Sequence, residues 1–146
     1  MAQINPYITF NGNCEAAFNH YKSVFGNEFS YIGRFNEMPS DEKSVSLSTE
    51  EGNKIMHVSL PISAETVLFG SDSSDAFDQV TMVGNNISIS INATSIEEAD
   101  HLFKGLSEGG IVKMPMEKTF WGAYFGMFAD QFGINWMINF DEPIVD

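Results

Sequence analysis

The amino-acid sequence predicts an α+β fold made of a duplicated βαβββ unit. Three observations lead there. Apolar residues alternate at period two in a series of short segments; two other segments repeat at helical spacing instead; and the two strand-to-helix junctions share letters, ITFNGNCEAA from Ile8 and ISINATSIEEA from Ile89. The chain has 146 residues, 43% of them hydrophobic and 13 of them Phe, enough to build a core as a single domain over 1–146. The first half is assigned to 1–72 and the second to 84–140, with no linker that would separate two domains.

The elements follow from breakers and periodicity. Ile4–Phe10 alternates, with Ile4, Ile8 and Phe10 on one face and Asn5, Tyr7 and Thr9 on the other. Asn11-Gly12-Asn13 turns the chain into a helix over Cys14–Phe25, whose stripe is Ala17, Phe18, Tyr21, Val24 and Phe25 and whose stop is Gly26-Asn27. Glu28–Phe35 reads as a strand, Asn36–Lys43 as a polar loop or flap, and Val45–Thr49 as a further strand ending at the turn residues Glu51-Gly52-Asn53. Lys54–Ile62 alternates, with Met56, Val58, Leu60 and Ile62 opposite Ile55, His57 and Ser59, and Val67–Gly70 is a short apolar strand.

The second half restarts with Ile87, Ile89 and Ile91 opposite Asn86, Ser88 and Ser90. Thr94 or Ser95 caps a helix with the stripe Ile96, Ala99, Phe103 and Leu106, and Glu97 and Glu98 sit in its first turn, where the helix dipole favours them. Gly109-Gly110 ends it. Strands follow over Ile111–Met116, Ala123–Ala129 and Ile134–Phe140, the last two joined by Asp130-Gln131-Phe132-Gly133. Each helix is expected to cover one face of its half-sheet and leave the other free to line a groove. The period of two puts Asn5, Tyr7, Thr9, His57, Ser59, Asn86, Ser88, Ser90, Asn135, Met137 and Asn139 on that free face, which is polar for a closed core and suits a half-wet pocket.

Charge and composition exclude several classes. Twenty acidic residues against seven basic ones give a net charge of −13 and a sequence pI near 4.3. Such a field repels phosphate backbones and anionic lipid, so neither nucleic acid nor a membrane surface is an expected partner. The acidity reads as a solubility device, and the stretch Asp72–Asp78 as a solvated loop. No apolar run approaches the roughly 20 residues of a membrane-spanning helix. The opening MAQINPYITF has neither the basic nor the apolar region of a signal peptide. One cysteine, Cys14, cannot staple a secreted scaffold or build a Cys-rich zinc site, so a cytoplasmic location is expected.

Beyond these physical readings, the chain resembles the glyoxalase/bleomycin-resistance (vicinal oxygen chelate) superfamily, and within it the PhnB-like branch. The first half carries PYITFNGNCEAAFNHYKSVFG over Pro6–Gly26, the middle carries IMHVSL from Ile55 and LFGSD from Leu68, and the second half carries FWGAYFGMFADQFGINWMIN over Phe120–Asn139, close to the branch's F-W-G…G…D-x-F-G…W signature. The resemblance spans nearly the whole chain. It implies a curved mixed-sheet cup with the helices on its outer face, and a homodimer. Sequences of this branch are often labelled 3-demethylubiquinone methyltransferases, yet no Gly-rich loop stands at a strand end here to cradle a dinucleotide or S-adenosylmethionine.

Metal-dependent members of the superfamily hold a divalent ion with His or Glu side chains on the first strand of each half and on a last strand. Matched one at a time, those positions fall at Asn5, Asn86 and Met137, and Val67–Gly70 carries no carboxylate. Amide oxygens and a thioether are weak ligands for such ions, so no cofactor is expected and a divalent metal is the alternative. His57 is the remaining candidate for chemistry, as a general base, as a hydrogen-bond partner for a ligand, or as a structural histidine. His20 and His101 fall off their helix stripes and read as surface residues. Trp121, Tyr124, Phe125, Phe128, Phe132 and Trp136 read either as core or as a stacking wall, with Trp121 and Tyr124 the residues assigned to the pocket. Cys14 reads as a small buried residue despite its helix N-terminal position. Two functions remain: a metal-free small-molecule binder of the sequestering or resistance type, or a lyase, isomerase or dioxygenase that uses a metal or His57. A third possibility is a vestigial groove, with Met114, Met116 and Met127 in an interface or as core filler.

Overall fold

The computed structural model describes residues 2–38, 47–77 and 79–143. The chain forms two compact units, Met1–Met82 and Val83–Asp146. In the first, β1 (Tyr7–Phe10) leads to α1 (Cys14–Phe25), β2 (Tyr31–Arg34), a short α2 (Thr49–Asn53), β3 (Ile55–Pro61) and β4 (Val67–Asp72). In the second, β5 (Ile89–Asn92) leads to α3 (Ile96–Ser107), β6 (Ile111–Lys118), β7 (Ala123–Ala129) and β8 (Asn135–Asp141). Both sheets have the same order, β1-β4-β3-β2 and β5-β8-β7-β6, with one parallel pair (β1 with β4, β5 with β8) and antiparallel neighbours otherwise. A four-residue strand followed by a 12-residue helix opens each unit, so the duplication read from the letters is present in the topology.

Each helix lies on one face of its own sheet. Cys14, Ala17, Phe18, Tyr21 and Val24 of α1 are buried with Ile8, Phe10, Val58, Leu60 and Leu68 of the strands. Phe18 meets Phe10 and Tyr21 edge-on at centroid distances of 6.1 and 5.6 Å. Gly70 permits this, because a Cβ there would lie 2.7 Å from Phe18 Cζ. In the second unit Ala99, Leu102 and Leu106 are buried with Phe128, Trp136 and Ile138. Leu102 takes a place the expected stripe gave to Ile96, which is partly exposed. Fully burying each such side chain contributes about 1.5–3 kcal/mol.

The helix ends use the signals expected of them. Gly26 adopts a left-handed conformation (φ 77°) and its N–H donates to the Lys22 carbonyl, closing α1. Ser95 caps α3 by accepting from the Glu98 N–H at 3.0 Å, while the Glu98 carboxylate accepts from the Thr94 N–H at 2.9 Å. At α1, Asn13 makes no side-chain cap. The Asp72 carboxylate does that work from 58 residues away, accepting from Cys14 N at 2.9 Å, Gly12 N at 3.0 Å and, on β3, Ile55 N at 2.9 Å.

Several expectations are corrected. The acidic segment beginning at Asp72 is not a solvated loop: Asp72, Ser73 and Ser74 are buried, the Ser74 hydroxyl donates to Glu51 Oε2, and Phe77 stacks on Phe35 at 5.5 Å. Asp78 lies outside the described residues. The proposed strand Val45–Thr49 lies partly outside them too. Where it is described, Ser48 instead accepts from Glu51 N and caps α2, a local side-chain bond that strand pairing did not outbid. The flap residues 39–43 are outside the described set. The first strand starts at Tyr7 rather than Ile4, after Pro6, which has no N–H to pair. The strand of the second half starts at Ile89. Finally, Met56 forms a bulge between Gly33 and Arg34, which turns Ile55 onto the same buried side as Val58 and Leu60, where simple alternation had placed it opposite them.

Asp72→Ala is expected to lower the unfolding free energy by about 3–5 kcal/mol, because three N–H groups lose a charged acceptor. Urea unfolding checks it; a loss below about 1 kcal/mol would show that the carboxylate does not organise this unit.

Candidate ligand-binding site

The sheet face of the first unit opposite α1 carries a cluster of four rings. The register sets Tyr7 of β1 against Phe69 of β4, Phe69 against Ser59 of β3, and Ser59 against Tyr31 of β2, one row across all four strands. His57 stands two residues from Ser59 on the same face and opposite Gly33. Its ring centroid is 5.8 Å from Tyr7, 5.9 Å from Tyr31 and 5.6 Å from Phe69, with interplanar angles of 28–36°. Tyr7 and Phe69 stack at 6.3 Å. Tyr7 is 53% and Tyr31 48% exposed, so the rings form a surface that solutes can reach. Below them Ser59 is buried, and its Oγ lies 3.1 Å from His57 Nε2. Thr9 is exposed on the same face.

Of the residues assigned to the pocket from sequence, Tyr7, Thr9, His57 and Ser59 share this face. Tyr31, Phe69 and Gly33 belong with them and were missed, because nothing in the letters fixes which residues of β2 and β4 lie beside His57. Asn5 precedes β1, and its Oδ1 accepts from Val67 N at 3.0 Å, which makes it a clamp between the ends of β1 and β4.

In the second unit the open face carries Asn135, Met137, Asn139 and Ser90, in keeping with the alternation. Met137, Met127 and Met114 are direct cross-strand neighbours there. Asn135 Oδ1 accepts from Lys113 Nζ at 2.9 Å, and Asn139 Nδ2 donates to Asn92 and Asp141. Asn86 and Ser88 lie before β5 and are exposed, not on a strand face. Tyr124 is a correction. It points to the helix side, where its hydroxyl donates to Asp100 Oδ1 at 2.6 Å, and that bond raises the phenol pKa. Trp121 sits in the β6–β7 turn, 62% exposed, edge-on to Phe120 at 4.9 Å. Phe128 and Trp136 are core. Asp130 accepts from Phe132 N at 2.8 Å, Ile134 N at 3.0 Å and Trp136 Nε1 at 2.8 Å, so the D-Q-F-G-x-x-W segment is a structural knot.

The donors at the superfamily's metal positions do not fit a divalent ion. The Asn5 oxygen is engaged by a backbone N–H, Asn86 is in an exposed bend, and Met137 offers a thioether in a row of methionines. Among the described residues no three His, Cys, Asp or Glu side chains are grouped so as to hold an ion. Cys14 is fully buried, and burial followed by the charge of Asp72 pushes its thiol pKa far up, so it is no nucleophile. A cavity of about 510 Å³ opens at the start of α1, lined by Gly12, Asn13, Glu15, Asn53 and Lys54. It is remote in character from the ring face, being bordered by carboxylates, and Asp72 already occupies the helix N–H donors an anion would use.

Comparison with known proteins fits this architecture. The family described as 3-demethylubiquinone-9 3-methyltransferase matches residues 2–139. The chain belongs to this PhnB-like family. Among solved structures the chain is similar to protein PA1353 from Pseudomonas aeruginosa, 37% identical, with a TM-score of 0.84 over 98% of this chain and 100% of that one. The PhnB protein of Bacillus cereus is 21% identical, with a TM-score of 0.72 over 95% and 99% of the two chains. Protein YjdN of Escherichia coli (strain K12) is 28% identical over 141 residues, 93% of each chain. At lower identity the fold is that of solved glyoxalase/bleomycin-resistance proteins. No helix among the described residues is long and apolar enough to cross a membrane.

Gly33 gives a way to test the ring face without altering any of its four rings. A Cβ at Gly33 would overlap the Tyr31 ring, with Cζ at 2.9 Å, and only the far end of that side chain need move. Gly33→Ala is expected to shift the Tyr31 and His57 ring resonances while changing stability by about 1 kcal/mol or less. Unchanged ring resonances would mean that Tyr31 does not pack over this strand.

Proposed function

We propose that the protein binds a small organic molecule without a metal, with the open face of the first unit as the ligand's seat. The observation that carries this reading is the solvent-accessible four-ring cluster around His57, backed by a buried hydroxyl. Flat or apolar parts of a ligand gain dispersion and stacking on Tyr7, Tyr31 and Phe69, and His57 supplies a polar contact that fixes orientation. Sequestration or drug resistance of the superfamily's kind needs affinity and no chemistry, and this arrangement suits it.

The methyltransferase description attached to the family is not adopted. Such a reaction needs a seat for S-adenosylmethionine, and the N-termini of all three helices, which could take its carboxylate, are already capped from within, α1 by Asp72, α2 by Ser48 and α3 by Ser95 with Glu98. A second reading, a metal-free enzyme, draws on the His57–Ser59 contact, which would suit a general base held in place. It requires that a His57→Ala variant bind ligand yet lose turnover.

Thermal unfolding of chelator-treated protein with Mn, Fe(II), Co, Ni, Cu or Zn is expected to show no rise in midpoint, since a ligand that binds only the folded state must raise it. One tightly held ion per chain by elemental analysis, with a raised midpoint, would sink the metal-free reading.

We also propose a cytoplasmic homodimer. Light scattering on the eluting peak of a sizing column should then give about twice the 16.2 kDa chain mass, and a clean monomer at micromolar concentration would count against it.

A further inference from the structure

We infer that Ser59 holds His57 in the tautomer that carries its proton on Nδ1, and that the ring face thereby selects ligands presenting a neutral hydrogen-bond acceptor over those presenting an ammonium group. The ligand half of this inference rests on the small-molecule reading above; the tautomer half does not.

Ser59 is 7% exposed, and its Oγ lies 3.1 Å from His57 Nε2. A serine hydroxyl has one proton to place, and a neutral imidazole offers one donor nitrogen and one acceptor nitrogen. Among the described residues, Nε2 is the acceptor within reach of that proton. Were Nε2 protonated, it would donate to Oγ and leave the buried hydroxyl proton with no acceptor, the arrangement that folded proteins avoid. The hydroxyl therefore donates, Nε2 accepts, and the ring proton resides on Nδ1.

Nδ1 has no hydrogen-bond partner among the described residues and is not a buried atom, so its N–H is available. The His57 ring that carries it lies 5.6–5.9 Å, centroid to centroid, from the rings of Tyr7, Tyr31 and Phe69. A ligand whose flat part lies against those rings and whose polar group reaches the edge of the His57 ring meets this in-plane donor. A carbonyl oxygen answers it, whereas an ammonium group sets donor against donor and cancels what the ring faces would offer a cation. Ser59 is thus a positioning residue acting through His57.

The tautomer is read directly from long-range ¹H–¹⁵N spectra of the full chain at pH 8, with the His57 signals assigned by a His57→Gln variant. The expected pattern is a protonated Nδ1 and an unprotonated Nε2. Ser59→Ala should relax it toward a mixture, and Ser59→Thr, which keeps the hydroxyl, should restore it. Binding is then followed at the Tyr7, Tyr31 and Phe69 ring signals with three probes on one frame: 1-indanone, indane and 1-aminoindane. The ketone is expected to bind about five-fold tighter than the hydrocarbon, the worth of one net hydrogen bond, and the amine weakest. In Ser59→Ala the advantage of the ketone should shrink. A protonated Nε2 in the wild-type chain overturns the inference whatever binds. Equal affinity for ketone and hydrocarbon, or tighter binding of the amine, overturns the selectivity and leaves the small-molecule reading standing. If none of the three probes moves the ring signals, it is that reading which fails.

Discussion

Buried carboxylates that gather backbone N–H groups are the interaction on which each unit depends. A βαβββ unit must turn sharply from strand to helix and from strand to strand, and each turn leaves donors that a sheet or helix cannot satisfy. Asp72 takes three of them, from Gly12, Cys14 and Ile55, and so ties the start of α1 and the start of β3 to the end of β4. Asp130 does the equivalent in the β7–β8 turn, binding Phe132 N, Ile134 N and the Trp136 indole. Charge-assisted bonds of this kind are about twice as strong as neutral ones, and water cannot easily replace them at 3–4% exposure. The helix faces and sheet cores pack around points fixed in this way.

These anchors also account for what could and could not be read from the letters. The two 12-residue helices were legible nearly to the residue, since apolar spacing, a capping Ser95 and a terminal Gly26 all act within a few positions of one another. The Asp72 network was not. Its partners lie 17 to 60 residues away, and in sequence the aspartate sits in a run that looks like an exposed acidic loop. A local polarity argument assigns such a run to solvent; a long-range hydrogen-bond argument, which needs the fold, buries it. The Met56 bulge failed to show for a related reason, because one unpaired residue reverses the face of everything before it and leaves no mark in composition.

The same limit shaped the site. Alternation placed Tyr7, Thr9, His57 and Ser59 on one face, and they share it. It could not place Tyr31 or Phe69, because residues on different strands become neighbours only through register. Nor could it separate Tyr124 from Phe125 in a segment where almost every residue is apolar or aromatic. There the deciding contact is the hydrogen bond from Tyr124 to Asp100 on the helix side.

The segment F-W-G…D-x-F-G…W, which carries the resemblance read from the sequence, therefore has a structural meaning distinct from activity. Its aspartate and second tryptophan form one hydrogen-bonded knot, its glycine at 133 closes the β7–β8 turn, and its Phe120-Trp121-Gly122 forms the β6–β7 turn at the other end of β7. This knot holds the sheet together, whatever the open faces carry. Family membership consequently carries the fold and does not by itself specify a reaction. The chemistry must be sought where the fold leaves freedom, on the faces turned away from the helices. There the first unit presents aromatic rings around one histidine, and the second a row of methionines flanked by amides. Among the described residues neither face gathers three His, Cys, Asp or Glu side chains in one place.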